Sequence, residues 1–192
     1  MRKFLVATGL AILLCPNFAR ADEQFTPLAV SGNWAAFVHR ESMEDPPDFC
    51  GAGDTSDGLL FRADNNDIEI RYINNAWSLP ADVTGNLKLA VDQNSYVLPI
   101  TDNTNTMVIA TITQDQLEKI VADMNKASSM QLTPGSGQPV TISLAGSNTA
   151  ITAFLTCAGI AQPGNTGGAN PFQSPSGDGQ GGGNAPASGS GP

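Results

Sequence analysis

The chain has 192 residues and a formal net charge of −9 at pH 7, because 18 acidic residues outnumber its nine lysines and arginines. An acidic surface repels phosphate groups, and the few cationic residues are scattered along the chain rather than clustered. The composition therefore argues against nucleic acid and anionic membrane surfaces as partners.

The first 21 residues have the pattern of a secretory signal peptide. Arg2 and Lys3 form a basic start, residues 4–14 form an apolar run, and Ala19 and Ala21 give an A-x-A cleavage pattern. We expect cleavage after Ala21, which would leave a periplasmic or secreted protein with a formal charge of −12. The apolar run is too short to span a bilayer, and no later segment reaches the roughly 20 apolar residues that a transmembrane helix requires.

Alternation of apolar and polar residues predicts strands through most of residues 22–161, which we interpret as a single domain. Ile68, Ile70 and Tyr72, for example, lie on one face of a predicted strand. Residues 92–95 form a turn that closes a predicted hairpin. The predicted strands are residues 33–40, 58–63, 67–73, 87–91, 95–100, 106–112 and 139–144.

Two helices are predicted among these strands. Thr113 and Gln116 have the spacing of a capping box and start the first helix. The second helix begins at Ser147 or Asn148, and Gly159 is placed to end it. Their predicted buried faces are Leu117, Ile120, Val121 and Met124 in the first helix, and Ile151, Phe154, Leu155 and Ala158 in the second.

Strands outnumber helices, so the predicted fold class is α+β: a mostly antiparallel β-sheet domain with two helices packed on it. Residues 162–192 have a different composition, dominated by Gly, Pro, Ser and Asn. Such a segment buries too little apolar surface to offset the entropy of ordering, so we predict a disordered C-terminal tail. If this tail reaches a partner or the cell wall, Pro171 and Phe172 are its only anchor.

The cysteines predict one disulfide bond. Cys15 would leave with the signal peptide, and Cys50 and Cys157 would then be the only pair to reach an oxidising compartment. A lipid-modified Cys15 is the alternative, but Leu14 precedes it where such signals carry a small residue. In the chain-entropy model, closing a loop of about 100 residues contributes roughly 4.7 kcal/mol. The C-x-x-C spacing of a catalytic dithiol is absent from the sequence, so we interpret the pair as structural.

The chain also carries an ordered series of segments: an early strand with Trp34, then Cys50, NNAWSLPADVTGNLKLAVD, a helix, and TISLAGSNTAITAFLTC. Its most specific parts are the Trp-x-Leu-Pro of residues 77–80 and the Ser-Leu-x-Gly of residues 143–146. Across residues 33–158 this order resembles the invasion-associated locus B family of small exported bacterial proteins. The resemblance implies an exported accessory domain, associated with invasion or the envelope, rather than a known reaction. That family carries additional cysteines near its first tryptophan, which this chain lacks.

The sequence offers few residues for catalysis. Its only histidine, His39, stands beside Arg40 at the end of a predicted strand, where we expect an exposed side chain. No serine lies in a G-x-S-x-G pattern, and one histidine with two oxidised cysteines cannot supply the three or four ligands of a zinc site. We therefore predict no enzyme activity, no catalytic residue, no cofactor and no metal site.

Carboxylates are more numerous and leave two alternatives open. The stretches DTSDG, residues 54–58, and DNNDIE, residues 64–69, each concentrate oxygen atoms within a turn. Neither matches the calcium-loop pattern, so Asx turns are the favoured interpretation. A pair of carboxylates of the kind that glycosidases use has no signature in sequence spacing and stays open.

A recognition surface is predicted in RYINNAWSLP. Tyr72, Asn74, Asn75 and Trp77 combine aromatic and amide groups that could stack on a sugar or bind a protein partner. For Trp77 itself we favour the other interpretation, in which its ring fills the core beneath the turn at Pro80.

Three functions follow from these observations. The first is an exported, non-catalytic interaction or accessory protein of the periplasm or cell surface, with a protein or envelope partner. The second is a carboxylate-dependent hydrolase that acts on glycans. The third is an inhibitor or chaperone-like partner of an exported enzyme.

Overall fold

The computed structural model describes residues 24–161. The predicted signal peptide, residues 1–21, and the predicted tail, residues 162–192, lie outside the described residues. The elements are β1 (Gln24–Ser31), β2 (Trp34–Arg40), β3 (Phe49–Asp54), β4 (Leu59–Ala63), β5 (Ile68–Ile73), β6 (Asn86–Val91), β7 (Asn94–Pro99), β8 (Asp102–Asn103), β9 (Met107–Ile112), α1 (Gln114–Met124), β10 (Ser129–Pro134), β11 (Val140–Ser143) and α2 (Ser147–Cys157).

The strands form two antiparallel sheets. The larger sheet has seven strands in the order β1-β2-β3-β4-β5-β9-β8, and the smaller has four in the order β11-β10-β6-β7. Strands β1 to β5 follow each other in sequence and in space as antiparallel neighbours, and connections of two to eight residues join them. With α1 and α2, this arrangement confirms the predicted α+β class, mostly antiparallel with two helices.

The hydrophobic core follows from the alternation along the strands. Trp34, Ala36 and Val38 of β2 are buried, and so are Leu59 and Phe61 of β4, which places these alternate positions on one face of the larger sheet. One cluster of buried residues joins this face to the smaller sheet and to both helices. The indole Nε1 of Trp34 donates a hydrogen bond to the Ser143 carbonyl at 2.8 Å, which links β2 to the end of β11.

Helix α1 begins as the sequence predicts. The Thr113 hydroxyl accepts from the Gln116 backbone N–H at 3.2 Å, and the Gln116 side-chain oxygen accepts from the Thr113 N–H at 2.9 Å. This confirms the capping box. It provides acceptors for two backbone N–H groups at the start of the helix that have no hydrogen-bond partner within the helix. The predicted apolar face is buried throughout, at Leu117, Ile120, Val121 and Met124.

Helix α2 packs against β1, β2 and β3. Its start depends on Gly146, which has φ +93 and lies so close to β1 that an added Cβ would stand 2.1 Å from the Ser31 carbonyl oxygen. Only glycine fits this left-handed, crowded position. The helix ends before Gly159, whose φ of +67 confirms the predicted terminating residue. Three members of the predicted face, Ile151, Phe154 and Leu155, are buried, and Ala158 is half-buried.

The predicted disulfide bond is present. Cys50 in β3 is bonded to Cys157 at the end of α2, across a sequence separation of 107 and with 6.0 Å between the two Cα atoms. The bond therefore ties the last helix to an interior strand of the larger sheet.

Candidate recognition site

A cavity of about 630 Å³ opens at one end of the seven-stranded sheet, where the turn between β3 and β4 approaches the segment after β5. Its walls combine apolar side chains from the strands with polar side chains from the two connecting segments. The apolar part of the lining includes Ala35, Phe37, Leu60, Ile73 and Val140, and the polar part includes Asp54, Ser56, Asp57, Tyr72, Asn74 and Asn75.

The turn between β3 and β4 is built on one carboxylate. Asp54 is only 3% exposed, and its Oδ1 accepts from the backbone N–H groups of Ser56 and Asp57 at 2.8 and 2.9 Å and from the Ser56 hydroxyl. This confirms the predicted Asx turn. The other oxygen, Oδ2, is buried, and none of the described residues donates a hydrogen bond to it.

Gly58 closes this turn against the end of β5. Its φ is +75, its carbonyl oxygen accepts from the Ile73 N–H at 2.9 Å, and an added Cβ would lie 2.1 Å from the Ile73 carbonyl oxygen. A side chain at this position would push the turn away from β5, so glycine here holds two walls of the cavity together.

The second acidic turn has a different role. Asp64 Oδ1 accepts from the backbone N–H groups of Asn66 and Asp67, and its Oδ2 is 2.7 Å from an Arg62 nitrogen. Burial would raise the pKa of Asp64, but those two backbone hydrogen bonds and the Arg62 guanidinium together hold it below its usual value. This turn is also an Asx turn, as predicted, and its carboxylate is already paired.

Three of the four predicted recognition residues meet at the cavity. Tyr72, Asn74 and Asn75 line it, whereas Trp77 packs behind Tyr72 with its ring centroid 5.3 Å away at an interplanar angle of 75°. Trp77 is half-buried against the core, which is intermediate between the core position and the exposed anchor that the sequence allows. Its ring therefore supports the Tyr72 wall rather than forming the contact surface itself.

The segment after β5 is held by its own polar groups. The Asn74 side-chain oxygen accepts from the Ala76 N–H at 3.0 Å, and the Asn74 N–H donates to the Thr106 carbonyl at 2.8 Å. Asn75 makes no such contact among the described residues and is exposed at the rim. Burial and the nearby negative charge of Asp57 raise the pKa of Tyr72, so its hydroxyl stays protonated at neutral pH and can donate a hydrogen bond.

His39 lies elsewhere, and the expectation that it is exposed is wrong. His39 is only 9% exposed. Its Nδ1 is 2.9 Å from Asp48 Oδ2, and its ring stacks on the Phe49 ring with 4.8 Å between the centroids. The cause is β1, which pairs Phe25 opposite His39 and brings a second ring to 4.7 Å. The histidine is a packed structural residue and does not line the cavity.

Within residues 24–161, no group of three or more His, Cys, Asp or Glu side chains is arranged to hold a metal ion. Over the same residues, neither helix has the length and apolar character that crossing a membrane requires.

No protein-family model, no curated protein and no solved structure matches the chain. The resemblance to the invasion-associated locus B family therefore stays a prediction.

Sequence patterns did not single out the apolar half of the cavity. Ala35 and Phe37 occupy the outward-facing positions of β2. In the neighbouring strand β3 their partners are Gly53 and Gly51, which have no side chains, so Ala35 and Phe37 form part of the cavity wall. The period-two pattern of β2 indicates which residues share a face, but not what covers that face.

Proposed function

We propose that this chain is an exported, non-catalytic accessory protein that recognises a partner through the cavity beside the β3–β4 turn. The Cys50–Cys157 disulfide is compatible with export, since such bonds persist in oxidising compartments. The predicted signal peptide supports the same location.

The cavity itself carries the proposal. Its volume of about 630 Å³ lies within the roughly 300–1,000 Å³ of sites that bind small molecules or side chains. Apolar walls with a few converging polar groups are the usual composition of such sites, and here Tyr72, Asn74 and Asn75 supply hydroxyl and amide groups. These groups are suited to binding and orientation rather than to proton transfer.

A hydrolase is the second candidate, because Asp54 and Asp57 line the same cavity. A carboxylate pair could act as acid and base on a glycan. Against this, Asp54 Oδ1 is engaged by three donors and serves as the acceptor that shapes the turn. Binding therefore has more support than catalysis. An inhibitor or chaperone-like role towards an exported enzyme is a form of the binding proposal in which the partner is that enzyme.

Copurification with a matched pair of variants tests the proposal. Asn75→Arg places a large cation at the cavity rim, and Asn66→Arg makes the same exchange at another exposed turn, between β4 and β5. We expect the mature protein and Asn66→Arg to recover a stoichiometric protein or envelope component from the periplasm, and Asn75→Arg to lose it.

The same preparations separate the alternatives. Glycan turnover by the mature protein that disappears in an Asp57→Asn variant would favour the hydrolase. Equal recovery of the partner by both arginine variants would show that the cavity is not the recognition site.

A further inference from the structure

Four aromatic rings form a patch on the outer face of the seven-stranded sheet. Phe25 of β1, His39 of β2 and Phe49 of β3 are direct neighbours in register, and Phe37 lies two residues before His39 on the same face. The Phe25 ring centroid is 5.4 Å from that of Phe37 and 6.3 Å from that of Phe49, with interplanar angles of 64° and 71°. We call these four side chains the aromatic patch.

The aromatic patch is open to solvent. Its outermost ring, Phe25, is 58% exposed, and the rings of Phe37 and Phe49 are half-buried. Five large apolar side chains of the described residues are exposed, and three of them, Phe25, Leu28 and Val30, belong to β1. Exposed apolar side chains that are concentrated on one strand, rather than scattered singly, mark an interaction surface.

This surface is too small for a stable dimer. Even with Phe25, Leu28 and Val30 each counted at the roughly 150 to 250 Å² of an aromatic residue, their exposed parts amount to no more than about 400 Å². A specific dimer buries about 800 Å² on each partner. The formal net charge of −9 also opposes close contact between two copies. A short segment of chain therefore fits this surface better than a second copy.

The described chain ends near the aromatic patch. Helix α2 starts beside Gly146, which lies against Ser31 at the far end of β1, and it runs to Cys157, which is bonded to Cys50 of β3. Cys50 directly follows Phe49 in β3, and successive strand residues point to opposite faces. The end of α2 and the aromatic patch therefore share one end of the sheet, on opposite faces of it.

The sequence beyond α2 supplies one suitable side chain. After Ile160 it contains a single large apolar residue, Phe172, which follows Pro171. The 11 residues 162–172 span at most about 36 to 40 Å when extended. As a flexible chain they cover about 17 to 20 Å on average. One sheet layer is roughly 10 Å thick, so this length is sufficient to bring the ring around the end of the sheet to its outer face.

We propose that Phe172 docks on the aromatic patch of the same molecule, with its ring against Phe25 and Phe37. Aromatic rings favour the tilted and edge-to-face arrangements that the patch already shows. Pro171 restricts the backbone next to the ring, which lowers the entropy that docking costs. Attachment to the same chain gives the ring a millimolar effective concentration, so a contact that is weak between molecules becomes populated within one.

The docked ring makes the tail a strap across the outer face of the sheet. Only Phe172 and its neighbours are engaged, which agrees with a tail composition that offers little else to pack. Phe37 also lines the cavity, so the strap lies beside the cavity. The contact does not depend on the proposed function, because it holds whether or not the cavity recognises a partner.

Fluorine NMR of the mature protein labelled with 4-fluorophenylalanine tests the docking. The resonance of Phe172 is the one that disappears in a Phe172→Ala variant. We expect its chemical shift to differ from that of a labelled peptide of residues 167–177. In a Phe25→Ala variant the resonance should move to the position of the peptide. Val97→Ala is the matched control, because Val97 is 55% exposed on β7 of the other sheet, and it should leave the resonance unchanged.

Backbone amide NMR supplies a second measurement that leaves the described domain unaltered. Truncation after Ala161 and the Phe172→Ala variant should shift the same amide resonances, those of Phe25, Phe37 and Phe49. Asn184→Ala, a change elsewhere in the tail, should shift none of them. This comparison decides the question even if Phe25→Ala fails to fold, since no residue of the sheet is changed.

Several results would overturn the inference. A Phe172 resonance at the position of the free peptide in the unaltered protein would show that the ring does not dock. Equal movement in Phe25→Ala and Val97→Ala would reduce the effect to nonspecific apolar contact. A shift that varies with protein concentration would show that the ring docks on another molecule, and a doubled mass in sedimentation would identify a second copy as the occupant. Unchanged patch amides in Phe172→Ala would leave the patch to a separate partner.

Discussion

Removal of the disulfide bond should lower the free energy of unfolding by a large fraction. In the chain-entropy model, the 107-residue separation between Cys50 and Cys157 corresponds to about 4.8 kcal/mol at 25 °C. A domain of this size has a total stability of roughly 5 to 15 kcal/mol. Replacing both cysteines by alanine removes the loop constraint, and it also removes the buried sulfur of Cys50, whereas Cys157 is only half-buried.

Urea unfolding measures this effect. With a slope of about 1 to 3 kcal/mol per molar urea, the unfolding midpoint of Cys50→Ala/Cys157→Ala should fall by roughly 2 to 5 M. A thiol reductant should lower the midpoint of the unaltered protein by a similar amount and leave the double variant unchanged, which controls for effects of the reductant. If the unaltered protein keeps its midpoint when both thiols are shown to be free, the argument from loop closure is wrong.

Three further predictions concern single side chains. His39→Ala should lower the free energy of unfolding by about 1 to 3 kcal/mol, because it removes the hydrogen bond to Asp48 and the stacking on Phe49. A loss near zero in urea unfolding would contradict the packed position of His39. Burial, a hydrogen bond to Asp123 and the charge of Asp123 raise the pKa of Tyr96 to about 12. Because this value lies above the unfolded value near 10, stability should fall between about pH 10 and 12, and Tyr96→Phe should flatten that fall in unfolding curves measured across this range. Trp77→Ala should cost about 2 kcal/mol, less than the roughly 3 to 5 of a fully buried tryptophan, and a larger loss by urea unfolding would place the ring in the core.

Local signals in the sequence predict the helices well. The capping box at Thr113 and the apolar spacing of α1 involve residues within one or two turns of each other, so their interactions do not depend on the rest of the fold. The strands with strict alternation, such as β4 and β5, are predicted for the same reason. The disulfide follows from counting, since the two cysteines beyond the predicted signal peptide allow one intramolecular bridge.

The strands that the pattern does not predict depend on distant neighbours. In β3, FCGAGD has no usable alternation, because Gly51 leaves room for the Phe37 ring, whose nearest atom would be 2.5 Å from an added Cβ. β1 is an edge strand, and its apolar residues Phe25 and Val30 are largely exposed. Its sequence therefore does not show the alternation of buried and exposed residues that predicts a strand. Strands β8 and β10 were missed as well, and β8 is too short to show a period.

The candidate site shows the same division. Tyr72, Asn74 and Asn75 stand out by composition, and they do line the cavity. The burial of Asp54 could not be predicted, because the DTSDG stretch reads as an ordinary exposed turn until β3 is placed between β2 and β4. His39 was misjudged for the same reason, since its cover comes from a strand that the sequence did not indicate.

The disulfide bond and the cavity of the proposed function lie at opposite ends of β3. β3 begins beside the disulfide at Cys50 and ends at the Asx turn of Asp54, a distance of about 14 Å for an extended strand. Between them β3 is paired on both sides, with β2 and with β4, so the ladder rather than the disulfide fixes the position of Asp54 in the folded protein. A disulfide acts mainly by restricting the unfolded chain, and its removal therefore changes how much protein is folded without altering the cavity in the molecules that remain folded.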